Sequence, residues 1–312
     1  MRIVSFGFQT WGVKTLQALV DLGHEVALAV THPASDDSYK GIFSDSVEEL
    51  AQSLGIPVHL TERVDHETIA LVAQAAPDVI VVNSWYTWMP PELYELPPHG
   101  TLNLHDSLLP KGTGFSPVLW SLISGESQIG LTIHRMDENL DTGDILVQHA
   151  LPIGPKDTGT ELVERGIALI PGALKEALDA LQSGAPQWRP QNKAERTYFH
   201  KRSERDSLLD WNWPAEVLER LVRALSEPYP PAYTFYRGER IEVLEAKLSE
   251  VRYGGTPGRV IVQEDGGAVV AGPEAYLGGN RGLVITRVRS SDGTEHSGDK
   301  FFRRGGYLTS QA

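Results

Sequence analysis

The chain has 312 residues, 41% hydrophobic and 22% charged, the composition of a globular protein with enough length to bury one or two cores. It contains no cysteine, which excludes disulfides and thiolate metal sites. A formal charge of −13 opposes approach to nucleic acid or to an anionic membrane, and suits a neutral or cationic small molecule. No apolar run approaches the ~20 residues that span a bilayer, and the opening residues lack the small-residue cleavage site of a signal peptide. A cytoplasmic protein is expected.

The first third alternates strand and helix. Residues 2–7 read as a buried strand and 10–22 as a helix whose stripe of Val13, Leu16, Leu19 and Val20 stops at Gly23. A second strand covers 24–31 and ends at Pro33; helices follow at 47–54 and 66–75, with a short strand at 56–60 between them. Residues 78–82 form the near-continuous apolar run of a central parallel strand covered on both faces. This spacing predicts an α/β fold with a doubly wound parallel sheet. Further strands are expected at 101–105 and 130–136, separated by a helix over 117–123. Thr158 and Glu161 fit a capping box that opens a long helix towards Leu181, bent at Pro171-Gly172 and ended by Gly184.

Residues 186–205 are rich in arginine and lysine and poor in apolar residues, and read as a charged linker. Beyond it a single helix is predicted over 214–225, then short strands at 232–236, 241–244, 259–263, 268–271 and 283–288. Glycine pairs at 254–255, 266–267 and 278–279 punctuate them, the pattern of a small barrel or sandwich.

The chemistry-bearing stretch is Asn103-Leu104-His105-Asp106-Ser107-Leu108-Leu109-Pro110, with Asp137-Glu138-Asn139-Leu140-Asp141-Thr142-Gly143-Asp144 further on. Asn103 and His105 lie two apart on a strand and so project to one face, at the carboxyl end where open α/β sheets place their ligands. Asp141 lies in a loop between two strands that brings it within reach of the histidine. Together they offer an amide donor, a proton-transfer group and a carboxylate to orient it. Taken singly, a strand histidine is more often structural than catalytic, and an Asp-Thr-Gly-Asp run is by default a turn.

At these residues the chain resembles the formyltransferases that use 10-formyltetrahydrofolate, through Asn-x-His-x-Ser-Leu-Leu-Pro followed by Leu-Asp-Thr-Gly-Asp. Similarity extends to the opening strand–helix–strand, to 89–100, to Gly130-Leu131-Thr132-Ile133-His134, and to Asp210-Trp211 and Pro228-Tyr229-Pro230. The resemblance implies a Rossmann-like catalytic domain over 1–202, with its linker at about 186–205, and an OB-like β domain over 203–312. It implies that Asn103 stabilises the oxyanion and that His105 moves protons. Asp141 would hold His105 and an ordered water and favour the charged imidazole. Thr87, Trp88, Met89, Ser107, Leu108, Leu109, Pro110, Asp137, Glu138, Asn139 and Leu140 would line the folate pocket. Phe8, Gln9 and Thr10, ending the first strand, would face the acceptor. Neither a metal nor NAD is required.

This chain departs from the family in two places. Thr113 and Phe115 stand where some relatives carry arginines. The segment 32–49, basic in the tRNA-modifying members, has Lys40 against Asp36, Asp37, Asp45, Glu48 and Glu49, a charge that repels an acceptor stem. The expected acceptor is therefore a small-molecule amine: an amino sugar, a nucleotide amino sugar, an amino-acid derivative, or an antibiotic or siderophore precursor. Methionyl-tRNA formyl transfer is the second reading. A nicotinamide dehydrogenase is remoter, because Gly7-Phe8-Gln9-Thr10-Trp11-Gly12 is not G-x-G-x-x-G. A non-catalytic folate binder is remoter too. No nucleic-acid or membrane partner is expected, and a homodimer is left open.

Overall fold

A computed structural model describes residues 1–33, 43–273 and 280–311. Asp36, Asp37, Lys40 and the glycine pair at 278–279 lie outside the described residues. Compact units form from 1–118, 128–152 and 163–200, and from 119–127, 153–162 and 201–312, so the second unit draws on two segments that precede the expected linker.

In the first unit the chain runs β1 (Arg2–Gly7), α1 (Gln9–Asp21), β2 (Glu25–Thr31), α2 (Val47–Ser53), β3 (Val58–Leu60), α3 (His66–Ala75), β4 (Val79–Asn83), α4 (Pro91–Tyr94) and β5 (Thr101–His105). The chain continues with β6 (Thr113–Gly114), α5 (Pro117–Ser124), β7 (Gln128–Arg135), β8 (Ile145–Pro152), α6 (Gly159–Ile167) and α7 (Ile170–Gln182), then β9 (Tyr198–Phe199); within these, 119–124 of α5 and 159–162 of α6 belong to the second unit. Seven strands form one sheet in the order β3-β2-β1-β4-β5-β7-β8. The first five are parallel, whereas β5–β7 and β7–β8 pair antiparallel. The parallel sheet expected from the sequence therefore carries an antiparallel edge, because 137–144 folds straight back and needs no crossover helix. Strand order reverses between β1 and β4, the switch point where such sheets open a crevice at their carboxyl ends.

Every residue of β4 is buried, as its apolar run requires. On one face Val4, Phe6, Ile80, Val82, Met89 and Leu93 make a core with Val72 of α3. The other face is covered by α1 and α7, which pack on each other and bury Leu16, Leu19, Leu174 and Leu178. At the turn from β1 into α1, a Cβ on Gly7 would lie 2.7 Å from the Gly12 Cα. These two glycines serve close strand–helix packing.

Helix entries follow local chemistry. Ser46 and Asp65 cap α2 and α3 through the Glu49 and Thr68 amides. Glu48 and Glu49 occupy the first turn of α2, where the helix dipole favours acid, so part of the acidity of 32–49 has a local cause. Thr158 and Glu161 form the predicted capping box, at 3.2 and 2.9 Å. The single bent helix expected after it is two helices, because Pro171 is tolerated in the first turn of a new helix better than inside a continuous one.

The second unit holds α8 (Ala215–Ala224), β10 (Ala232–Tyr236), β11 (Glu239–Tyr253), β12 (Val260–Glu264), β13 (Gly267–Val270), β14 (Asn280–Arg289), β15 (Glu295–Ser297), α9 (Gly298–Phe301) and β16 (Leu308–Thr309). The antiparallel order β12-β13-β14-β11-β10-β16 closes on itself where Val260 N–H donates to the Gly306 carbonyl and Leu308 N–H to that of Gly258. Closure removes free edges and makes a small barrel. The hairpins β10–β11 and β12–β13 turn on Arg237-Gly238 and Asp265-Gly266, each with positive φ at both positions, the two-residue turn that matches strand twist. Among the described residues no helix is long and apolar enough to cross a membrane.

Candidate active site

Asn103 and His105 end β5 on the same face, and their antiparallel neighbours on β7 are His134 and Thr132. Four polar side chains therefore meet at one strand pair. His134 Nδ1–H donates to the Arg135 carbonyl at 2.8 Å, which leaves Nε2 to accept from the Asn103 amide at 3.1 Å. Burial holds the His134 pKa below the ordinary histidine value; the Asp141 charge opposes this and the His105 charge adds to it. A neutral His134 thus orients Asn103, whose second amide hydrogen reaches Asp141 Oδ1 at 3.4 Å. That bond is long and readily exchanged for a better acceptor.

His105 Nε2–H donates to the Gly112 carbonyl at 2.8 Å, which turns Nδ1 towards Asp141 Oδ2 at 3.8 Å. The same carboxylate oxygen accepts the Gly114 amide at 2.9 Å. Asp141 is buried although it lies in a loop, and its φ of 54° is left-handed. The loop is forced against β7 at Gly143, where a Cβ would lie 1.8 Å from the Arg135 carbonyl oxygen. Gln191 Nε2–H then clamps it from outside, donating to the carbonyls of Asp141 at 2.9 Å and Gly143 at 2.8 Å. Arg196 adds a bond to the Leu140 carbonyl at 2.7 Å.

Gln191 and Arg196 come from the segment that reads as a linker in the sequence. Much of that segment is built into the first unit. Arg189 exchanges two 2.8 Å backbone bonds with Ile145, and β9 pairs in parallel with β6. Its basic residues suggested solvent; its backbone and side-chain donors are used on the Asp141 loop.

The expected pocket residues distribute unevenly. Ser107 is buried and its hydroxyl donates to the Lys111 carbonyl at 2.8 Å. Thr132 accepts the Leu109 amide and donates to the Ser107 carbonyl at 2.6 Å, and Gln148 reaches the Leu109 carbonyl at 2.9 Å, so the turn through Leu108 to the cis Pro110 is held from β7 and β8. Trp88 is 65% exposed, while Met89 is buried in the core beneath the loop. In the same loop the Trp85 indole N–H and the Thr87 hydroxyl are buried without a partner among the described residues. Leu140 and Asn139 are exposed; Asp137 turns inward to accept from Asn139 N–H and the Thr142 hydroxyl. Asp137 and Glu138 line a cavity of about 540 Å³ with Tyr94, His99 and Thr101, at the start of β5 and away from His105.

Phe8 packs edge-on against His32 and Tyr86 rather than standing open, and His32 stacks between Trp85 and Tyr86 at 3.8 and 3.9 Å. Gln9 has a φ of 55°, and the buried Thr10 donates its amide to the Phe43 carbonyl at 2.8 Å. Sequence reasoning missed His134, Thr132 and Gln191. The first two were visible as a second polar pair spaced by two in the neighbouring strand; Gln191 carried no local signal.

The family model described as formyl transferase matches residues 1–178, and that described as formyl transferase, C-terminal domain, matches 201–305. The chain belongs to the formyl transferase family. Its fold is shared with the N-formyltransferase from Helicobacter canadensis solved with folinic acid and dTDP-3-aminofucose, at 16% identity and a TM-score of 0.68, covering 91% of this chain and 98% of that one. HypX from Aquifex aeolicus in complex with tetrahydrofolic acid matches at 18% identity and a TM-score of 0.60, over 96% of this chain but 46% of that one. Methionyl-tRNA formyltransferase from Clostridium thermocellum matches at 20% identity and 0.53, over 80% of this chain and 94% of that one. For this formyl transferase family member, these likenesses establish the fold.

Proposed function

We propose that this chain transfers the formyl group of 10-formyltetrahydrofolate to the amine of a small molecule. The observation that carries the reading is the convergence of Asn103, His105 and Asp141 within 4 Å at the carboxyl end of β5, in a member of this family. The loop after β4 fits a flat heteroaromatic ring with a polar edge. It offers the Trp85 N–H and Thr87 hydroxyl, unpartnered among the described residues, beside the exposed Trp88. Solved relatives of this fold with folinic acid or tetrahydrofolic acid bound support the same donor class.

When bound, the donor supplies a formyl carbon activated for attack. Asn103 gives up its long bond to Asp141 and donates to the formyl oxygen, where negative charge develops. His134 keeps the amide pointed that way. His105, held at Nε2 by Gly112, passes a proton from the amine to the departing nitrogen through Nδ1, with Asp141 beside it. Gly114 N–H and the Gln191 clamp keep Asp141 in place.

The acceptor is read as a small molecule because Asp45, Glu48 and Glu49 flank the start of α2, where a nucleic-acid partner would need cations. The dTDP-3-aminofucose held by the Helicobacter canadensis enzyme supports that class. The test is tetrahydrofolate release from 10-formyltetrahydrofolate across aminoglycosides, nucleotide amino sugars, hydroxyornithine and charged initiator tRNA. Release that depends on a small amine is expected. Turnover with tRNA alone overturns the acceptor class, and no turnover with any amine overturns the reaction.

A further inference from the structure

Asp106, the residue after His105, turns to the opposite side of the sheet. Register pairs Thr101 with Ile80 and Asn103 with Val82, so Asn103 and His105 lie on the α3 face and Asp106 leaves towards α1. There its carboxylate meets the Trp11 indole from the first turn of α1. Trp11 is set edge-on against Phe43 at 5.5 Å, and Phe43 is tied to Thr10 through its carbonyl. Asp106 Oδ1 is enclosed and has no hydrogen-bond partner among the described residues.

An enclosed carboxylate oxygen without a donor is costly, and native proteins rarely keep one without use. The Asp141 carboxylate is already engaged by Gly114 and Asn103; that of Asp106 has capacity left. Burial raises the Asp106 pKa to about 6, against the opposing pull of His105 and Trp11, the groups that act on it from β5 and α1. Such a group is mostly ionised at neutral pH and still basic enough to take a proton.

We propose that Asp106 is the carboxylate that receives the acceptor, pairing with its ammonium group and taking one proton so that a neutral amine is presented beside His105. This rests on the formyl-transfer reading above. The proton taken by Asp106 passes to solvent. The second amine proton, released as the new C–N bond forms and the donor C–N bond breaks, travels through His105 to the departing nitrogen. The substrate class is therefore a cationic primary amine that reaches Asp106 at the carboxyl end of β5.

The test is a ¹³C carboxyl NMR titration of the intact protein, with the Asp106 signal assigned through its own backbone. Glucosamine and dTDP-3-aminofucose serve as amine probes. Without amine, the midpoint is expected near 6. A bound ammonium should lower it by about 1–3 units. In parallel, D106N should lose roughly 100-fold or more in kcat/KM for the amine and lose the acidic limb of the pH profile of that constant, with KM for the donor unchanged. A midpoint that no amine moves, or D106N within threefold of wild type with the same limb, overturns the assignment. Donor binding is read separately by calorimetry. Its absence in the wild type counts against formyl transfer itself, whereas intact donor binding with a silent Asp106 removes this proposal alone.

Discussion

The end of β5 and the β11–β14 pair of the barrel both concentrate charged residues, and they treat them in opposite ways. Along β11 and β14, Arg287 lies between Glu245 and Glu295 at 2.8 and 3.0 Å, and Arg289 reaches Glu242, Glu295 and Glu227 at 2.8–3.2 Å. Hydrogen bonds from Arg289 and then Arg287 hold the Glu295 carboxyl below its usual range. Both arginines are matched by carboxylates of the same surface, in water, where such pairs add little. At the end of β5 the groups are wholly or partly buried and incompletely matched: a 3.4 Å amide contact, a 3.8 Å histidine–carboxylate separation and a carboxylate oxygen with no donor among the described residues. A satisfied network needs nothing further. An unsatisfied buried one is held in place by the rest of the fold for a partner that arrives later.

The largest expected effect tests the buried half of that contrast. His105→Ala and Asp141→Asn should each lower kcat by at least about 100-fold while donor affinity changes little, measured by steady-state turnover and calorimetry. Near wild-type turnover in either would reduce the cluster to structure.

Asp106 sharpens the comparison through stability. Its folded pKa, about 6, lies above the unfolded carboxylate value, so the native state prefers the protonated form. Ionising it therefore costs stability, a cost absent below about pH 4 and fully present above about pH 6. Asp106→Asn should raise the unfolding free energy at pH 7 by up to about 3 kcal/mol, with the gain fading by about pH 4. Denaturant curves at the two pH values check the sign; equal stability at pH 7 would mean that the carboxylate is better solvated than its burial indicates.

Gln191→Ala removes two donors from the Asp141 loop without touching the reacting groups, and a roughly 10- to 100-fold loss of kcat with unchanged donor affinity is expected. The smallest effect belongs to the matched surface. Arg289→Ala should lower thermal stability slightly, by an amount that disappears in high salt, and leave turnover unchanged.

Legibility followed the range of the interactions. β5, α3 and β10 were readable to the residue, because hydrophobic periodicity and caps are local. β11 was seen only at its head, since its bulges break the alternation after Val243. β8 carries Gln148 and His149 at a sheet edge and has little strand signature. Asn103, His105 and Asp141 were named from their motif, but His134 became part of the site only through the β5–β7 register.

By itself the sequence determined the composition-level exclusions, the alternation that specifies an α/β sheet, and the residue types able to move a proton and bind an oxyanion. These depend on chemistry within a few residues. The tertiary structure alone decided the antiparallel turn of β7 and β8, the use of 189–199 to clamp the Asp141 loop, the neutral His134 behind Asn103, and the side of the sheet to which Asp106 points. Each joins segments tens of residues apart, and their pairing is set by packing and hydrogen-bond satisfaction across the whole unit, which no local pattern encodes.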